Sequence, residues 1–498
     1  MAAVKAASGG RGSLTNDDLL PVPAERRTWT WVNFTTVWMG MVHNIVAYTT
    51  AAGLIALGLS AGEALAAVVV ANLFLVAGMW LNGAVGTKYG VPFPVIMRAC
   101  FGHRGAQLPV VVRAAVAMFW FAVQTYAGSL AINAIFGLLI PGWGSLTTSI
   151  LGMPLNVAAS FVAYWALHAW VISHGMSRVK HFELWAGPLV ILLALGLIVW
   201  AISRAHGLGP LFAQPGKLHG GAFWAVFFTS VAGMIGTWST LVLNIPDFTR
   251  FGASQRDQVI GQGIGLPLTA IIFAFMSILI TSGTVIAFGH PIADPVALLT
   301  RFHNPVVLVL GGGALVVATL SVNIAANVVS PAYDLVNLFP KKLNFVRAGI
   351  LSTILAAGFA PWMWFRHAVV IFGILNVIGG TLGPVAGVML TDYYIVHRRQ
   401  YDTDALYSTN GAYSYTNGWN LRGLAALGVG LVASLIGNIV PPLKPLANYA
   451  WFIGLGTAAI IHVALSYKPL GAPSTVTPSS TSDPTAWNPA LGQEASQA

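Results

Sequence analysis

Phe119-Trp120-Phe121-Ala122-Val123-Gln124-Thr125-Tyr126 lies in the middle of an apolar run that begins after Arg113 and carries no charge as far as residue 139. A run of that length crosses about 30 Å of hydrocarbon as an α-helix. At about 3.6 residues per turn, Trp120 and Gln124 stand one turn apart on one face, so an aromatic plane and a primary amide project into the same place. The stretch therefore reads as a membrane-spanning helix that carries a small recognition surface for a flat, neutral, amide-containing molecule.

The rest of the chain repeats the first half of that reading. Of its 498 residues 56% are hydrophobic and 8% charged, where ordinary soluble domains carry about a quarter charged. Apolar runs recur from Trp29 to Ser466, and none shows the alternating pattern of a closed barrel. The expected fold class is an all-α polytopic membrane protein with 12 transmembrane helices, at about 30–58, 61–86, 107–139, 151–173, 183–204, 222–248, 259–289, 306–337, 347–362, 365–396, 421–440 and 446–467.

The net charge of +10 is spread along the chain rather than gathered in a patch, which argues against nucleic acid as a partner. With the first segment entering from the cytoplasm, only Arg204, Lys217, Arg301, Arg366 and Lys444 of the 24 Lys and Arg fall in outer loops. That bias predicts a multi-pass protein of the cytoplasmic (inner) membrane with both termini cytoplasmic. The N-terminal stretch lacks the apolar core of a cleavable signal peptide. Cys100 is the single cysteine, so no internal disulfide is expected.

Two segments differ from ordinary spans. The first holds Gly40-Met41-Val42-His43-Asn44 at mid-depth, and the sixth holds Gly233-Met234-Ile235-Gly236-Thr237-Trp238. Glycine-interrupted segments at matching places in two halves point to a binding site where unwound backbone offers its own polar groups. The expected organisation is a cytoplasmic tail over 1–28, one five-helix repeat over 29–204, an inverted second over 222–397, two further helices over 421–467, and a disordered cytoplasmic tail over 471–498. The connection from Thr87 to Gly105 mixes turn residues with an amphipathic stretch and is expected along the membrane face. A short outer helix is expected between Asp294 and His303.

Polar residues at mid-membrane depth cluster in four places: His43 with Asn44, Trp120 with Gln124, Trp238, and Ser321 to Asn327. A primary amide carries a donor pair and an acceptor, which suits the alternating N–H and C=O edge of a ureide, imide or pyrimidine. Each amide taken singly would serve equally well as interhelical glue, and each indole as packing. His43 suits a proton carrier, or a neutral histidine bonded to a backbone carbonyl. Arg113 and Asp247 fall at the inner ends of the third and sixth segments, where an ion pair would either close the inner side or lie solvated at the surface. Enzyme and metal-site spacings are missing, and no nucleotide-binding loop occurs.

Several strings resemble the nucleobase:cation symporter-1 family. They are Arg27-Thr28-Trp29, Leu81-Asn82-Gly83, Gly86-Thr87-Lys88-Tyr89-Gly90-Val91-Pro92-Phe93-Pro94, Trp120 to Tyr126, Asn244-Ile245-Pro246-Asp247-Phe248-Thr249-Arg250-Phe251, Asn323 to Pro331, Gly383-Pro384 and Thr391-Asp392-Tyr393-Tyr394. The resemblance implies a LeuT-type 5+5 inverted repeat with two C-terminal helices, working by alternating access. It implies import of hydantoin, allantoin, uracil, cytosine, purine or thiamine-like compounds with sodium or protons, and no cofactor. Carried over, Trp120 and Trp238 are the stacking indoles, and Gln124 and Asn327 the hydrogen-bonding amides. Asn44 falls where allantoin-type members have an asparagine, which tilts the expectation to an allantoin- or uracil-like substrate.

In sodium-dependent members the ion is held by helix 1 carbonyls, here about Gly40 and His43, and by hydroxyls of the eighth helix. Ser321 matches one hydroxyl, but Val322 stands where a threonine would complete the oxygen shell, so proton coupling is expected ahead of sodium. Arg113 and Asp247 occupy positions where a family member carries a Lys and an Asp near its inner gate. A monomer is expected to suffice. The alternatives are a sodium-coupled carrier of cytosine, purine or thiamine-like compounds, an amino-acid carrier of the same fold, and a channel or uniporter.

Overall fold

The computed structural model describes residues 14–173, 176–364 and 368–467. The expected disordered tail at 471–498 and the first part of the N-terminal tail lie outside the described residues.

The first expected span is two helices, α1 (Trp31–Val42) and α2 (Ile45–Ala56), bent by 66° at the break. There follow α3 (Ala61–Tyr89), the short α4 (Phe93–Gly105), α5 (Gln107–Leu139), α6 (Leu155–Ser173), α7 (Met176–Ala205), α8 (Gly220–Asn244) and the single turn α9 (Pro246–Thr249). Then come α10 (Gln255–Phe288), α11 (Pro295–Arg301), α12 (Pro305–Asn327), α13 (Val329–Leu338), α14 (Phe345–Ala356), α15 (Ala368–Thr391), α16 (Leu421–Ile439) and α17 (Ala450–Ser466). Among the described residues nine helices are long and apolar enough to cross a membrane, and the bent pair makes a tenth. The remaining expected spans correspond to α7 and α15. A two-residue β1 (Ser149–Ile150) pairs antiparallel with β2 (Met153–Pro154) just before α6.

Local chemistry sets the helix ends. α3 opens on a capping box, in which Ser60 Oγ accepts from Glu63 N and Glu63 Oε2 accepts from Ser60 N at 2.8 Å. It closes at Gly90, whose φ of +69° is the left-handed conformation that a glycine adopts without strain. Between them, a side chain on Gly86 would sit 2.7 Å from the backbone of Pro246, so α3 lies directly on the α8–α9 junction. Asn82 Nδ2 donates to Val242 O at 2.8 Å and Thr87 Oγ1 to Thr249 O at 3.1 Å across the same contact. The family-like string around residues 82–87 is thus a packing device.

Large apolar side chains such as Leu73, Phe74, Val162, Leu192, Leu310, Val432 and Ile460 stay exposed on the spans. A soluble protein rarely leaves so many uncovered, and lipid is the environment that suits them.

Two elements depart from the sequence expectation. α8 runs unbroken through Gly233 and Gly236 and ends only at Asn244, ahead of Pro246. Thr237 and Ser239 bond back to the carbonyls of Gly233 and Gly236 at 3.0 and 2.8 Å, inside the continuous helix. The connection after α3, expected along the membrane face, is the helix α4 with nearly every residue buried, Cys100 included. Arg98 explains part of that burial. Its guanidinium donates to Leu406 O, Leu14 O and Asn337 Oδ1 at 3.0, 3.2 and 2.7 Å, tying α4 to the N-terminal stretch, α13 and the 402–420 loop. Burial draws its pKa down to about 10, so it stays charged near neutrality. The expected short helix near Asp294 is α11, with Asp294 Oδ1 accepting from Val296 N at 2.9 Å; burial raises this carboxyl above the usual range.

Candidate substrate cavity

The break between α1 and α2 builds one wall. Val42 ends the first helix, and His43 and Asn44 leave helical geometry with φ/ψ of −81/83° and −146/167°. The new helix needs an acceptor for its first free N–H groups, and Asn44 Oδ1 supplies it to Ala47 N at 2.9 Å. Asn44 Nδ2 donates back to Met41 O and Val42 O, both at 3.2 Å, so one side chain serves both sides of the gap. Gln124 on α5 donates from Nε2 to Asn44 Oδ1 at 3.3 Å.

α5 lies along α12, and the break faces both. Asn44, Trp120, Gln124, Trp238 and Asn327 all line one cavity of about 400 Å³, counted to its open mouth. Val46, Ala47, Thr237, Thr240, Leu241, Val322 and Ala326 complete the lining, and none of these twelve side chains is charged. The structure therefore brings all five sequence-predicted substrate residues together. Gln124 Oε1 and the Trp120 indole N–H are buried and have no protein partner. Trp38 on α1 meets the Trp238 ring edge-on at 6.0 Å between centroids, bracing it from behind.

Gly40 and His43 sit at the end of α1, both buried. His43 Nδ1 lies 2.5 Å from Met39 O and its ring is edge-on to Phe273, so the ring is bonded to a backbone carbonyl. Ser321 is buried on α12, with its hydroxyl unpartnered. Two positions from it, Thr319 Oγ1 accepts from Ile45 N at 3.5 Å, joining α12 to the break.

The expected pairing of Arg113 with Asp247 is not the one formed. Arg113 donates from Nη1 to Asp334 Oδ2 at 3.0 Å, with both side chains fully buried. Asp247 Oδ1 instead accepts from Phe93 N at 2.8 Å, where it caps α4. A carboxylate at a helix N-terminus gains from the free N–H and the helix dipole, which accounts for its bond to Phe93. Burial also removes the solvated-surface alternative, since Asp247 is only 1% exposed.

Sequence reading missed His168 and the role of Asn323. His168 on α6 is fully buried and lies 3.1 Å from Asn323 Nδ2 on α12, and Asn323 Oδ1 accepts from Asn327 Nδ2 at 2.9 Å. The available signal was one histidine inside an otherwise apolar run. Among the described residues no group of three or more His, Cys, Asp or Glu is placed to hold a metal ion.

A bundle of lipid-facing helices, one of them broken mid-span beside an uncharged, aromatic and amide-lined cavity, is the architecture of a membrane transporter. The family described as permeases for cytosine/purines, uracil, thiamine and allantoin matches residues 21–454. The chain belongs to that family, the nucleobase:cation symporter-1 permeases, and is a transporter rather than an enzyme. It is 48% identical over 456 residues to the allantoin permease of Bacillus subtilis (strain 168), covering 91% of this chain and 93% of that one. It is 36% identical to the purine-uracil permease NCS1 of Arabidopsis thaliana, over 88% of this chain and 74% of the relative. Among solved structures it is similar to Mhp1, a nucleobase-cation-symport-1 family transporter in a closed conformation with bromovinylhydantoin bound. That likeness has a TM-score of 0.76 at 24% identity, covering 91% of this chain and 95% of the other. The fold is the LeuT-type arrangement expected from the sequence.

Proposed function

We propose that this permease imports a neutral nitrogen heterocycle such as allantoin, uracil or hydantoin across the cytoplasmic membrane, with both termini cytoplasmic and the monomer as the working unit. The observation that carries the reading is the cavity, where two indoles and three amides meet without a charged side chain. A flat ring stacks on Trp120 and Trp238 while Gln124, Asn44 and Asn327 meet its polar edge. An amino-acid carboxylate would call for a cation, which this lining lacks.

Import is driven by proton symport. Val322 lines the cavity where a hydroxyl would complete an oxygen shell, and a hard cation with one ligand fewer is held more weakly. Sodium coupling is the second reading, favoured by the buried, unpartnered Ser321 hydroxyl on α12, with Gly40 and His43 offering backbone carbonyls. Coupling in either case requires that ion and substrate favour the same conformational state. Arg113 with Asp334, and Asp247 at the foot of α4, form the closure of the inner side.

Uptake of radiolabelled allantoin and uracil by cells making the full chain tests this. Saturable uptake that survives replacement of sodium by choline and falls when the proton gradient is collapsed is expected. Steady uptake undiminished after both gradients are collapsed identifies a uniporter and overturns the proposal. A steep sodium requirement reverses the choice of ion.

A further inference from the structure

Behind the cavity wall, a chain of hydrogen bonds fixes which end of each amide faces the substrate. The two ends of an amide are alike in shape, so its direction has to be read from partners whose roles cannot change. Backbone carbonyls are such partners, because they can only accept. His168 Nδ1 lies 2.8 Å from Tyr164 O, so Nδ1 carries the ring hydrogen and Nε2 is left as an acceptor. Asn323 points Nδ2 at that Nε2 at 3.1 Å, at Phe121 O at 3.2 Å and at Thr125 Oγ1 at 3.1 Å. The Thr125 hydrogen is already given to Phe121 O at 2.7 Å. Three acceptors around one end make that end the NH2 group. Asn323 Oδ1 then accepts from Asn327 Nδ2 at 2.9 Å. Asn327 lines the cavity, and no described residue donates a hydrogen bond to its Oδ1.

The opposite wall gives the same result by a separate route. Asn44 Oδ1 accepts from a backbone N–H, and its Nδ2 donates to two backbone carbonyls, so its direction is fixed by the helix break. Gln124 must therefore meet Asn44 with its Nε2, which leaves Gln124 Oε1 buried and unpartnered.

We infer that the cavity presents two carbonyl oxygens, one from Gln124 set by Asn44 and one from Asn327 set by Asn323, a positioning residue held by His168 and Thr125. The site then selects rings that carry two N–H donors over rings alkylated at those nitrogens. This rests on the proposed reading of the cavity as a heterocycle site. A buried acceptor left without its donor weakens binding by about tenfold or more.

The test is competition of labelled allantoin and uracil uptake in cells making the full chain. The competitors are hydantoin, its 1-methyl, 3-methyl and 1,3-dimethyl derivatives, and 5-methylhydantoin, which adds the same bulk without removing an N–H. Each N-methyl group is expected to weaken competition about tenfold or more, while 5-methylhydantoin stays close to hydantoin. N-methyl derivatives that compete as well as hydantoin overturn the inference and leave the proposed function standing. If neither labelled ring is taken up and hydantoin does not compete, the proposed function fails and the inference falls with it.

Variants separate positioning from structural support. Asn323→Leu is expected to bring the ratio between hydantoin and one of its two mono-N-methyl derivatives towards one while the other, read by Gln124, keeps its ratio, whereas His168→Gln, which keeps an acceptor, retains both. Both ratios unchanged in Asn323→Leu, with all competitors weakened alike, show a structural role only and overturn the positioning claim. Where Asn323→Leu does not insert, Asn323→Ala removes the same oxygen from Asn327 with less bulk. A fall in one ratio then supports the claim, and no change contradicts it.

Discussion

α1 and α8 carry the same kind of glycine-bearing stretch at mid-membrane, yet α1 breaks by 66° and α8 runs straight through. The difference is one of partners. At the α1 break Asn44 accepts the N–H of Ala47 and donates to Met41 and Val42, so the freed backbone groups are met. In α8 the nearby hydroxyls of Thr237 and Ser239 bond within their own helix, and the ladder is kept. Glycine lowers the cost of leaving a helix by about 1 kcal/mol, which is too little to break one in hydrocarbon unless another group satisfies the orphaned N–H and C=O.

Removing partners is therefore the way to probe the contrast. The largest effect is expected where a charge loses its mate. Asp334→Ala leaves the fully buried Arg113 unpaired and should destabilise the protein by about 3–5 kcal/mol. Asp247→Ala removes a cap from α4 and should cost only about 1–2 kcal/mol. Thermal unfolding of the purified proteins ranks the two, and the reverse order would restore Asp247 as the true partner of Arg113.

Next comes the break itself. Asn44→Leu removes both the cap and the partner of Gln124, so a loss of about 1–2 kcal/mol in stability is expected, together with loss of saturable uptake. Asn44→Ser should recover most of the stability but not the affinity, because a hydroxyl caps α2 but does not reach Gln124. Recovery of both would mean that Gln124 needs no anchor.

Trp238 tests the straight helix. Trp238→Ala should weaken substrate binding by roughly 1–3 kcal/mol, the worth of one stacking contact between a base and an aromatic side chain, and Trp238→Phe by less. Both should leave α8 helical by circular dichroism. The smallest expected difference is in hydrogen exchange. Amides at residues 43–46 should exchange faster than those at 233–238, since exposed or strained ladders open first. Equal protection would erase the contrast.

Much of this was legible in the sequence, because the signals are local. Apolar runs give the spans, and the five amides and indoles of the cavity stand out as polar or aromatic residues at mid-depth. What the sequence hid was pairing at long range. Arg113 meets an aspartate 221 positions away rather than Asp247, and Asn323 meets a histidine 155 positions away. α4 looked amphipathic because Arg98 counts as polar by composition, whereas its guanidinium is consumed by acceptors from three other segments. The difference between α1 and α8 turned on where Asn44 points, which glycine spacing does not report.

The central claim is that Gln124 binds the ring of a neutral heterocycle in the cavity beside the α1 break. Uptake of labelled allantoin and uracil by Gln124→Leu, with membrane insertion checked on the same cells, tests it most directly. Normal insertion with saturable uptake abolished is the predicted result, and uptake of unchanged affinity would contradict it.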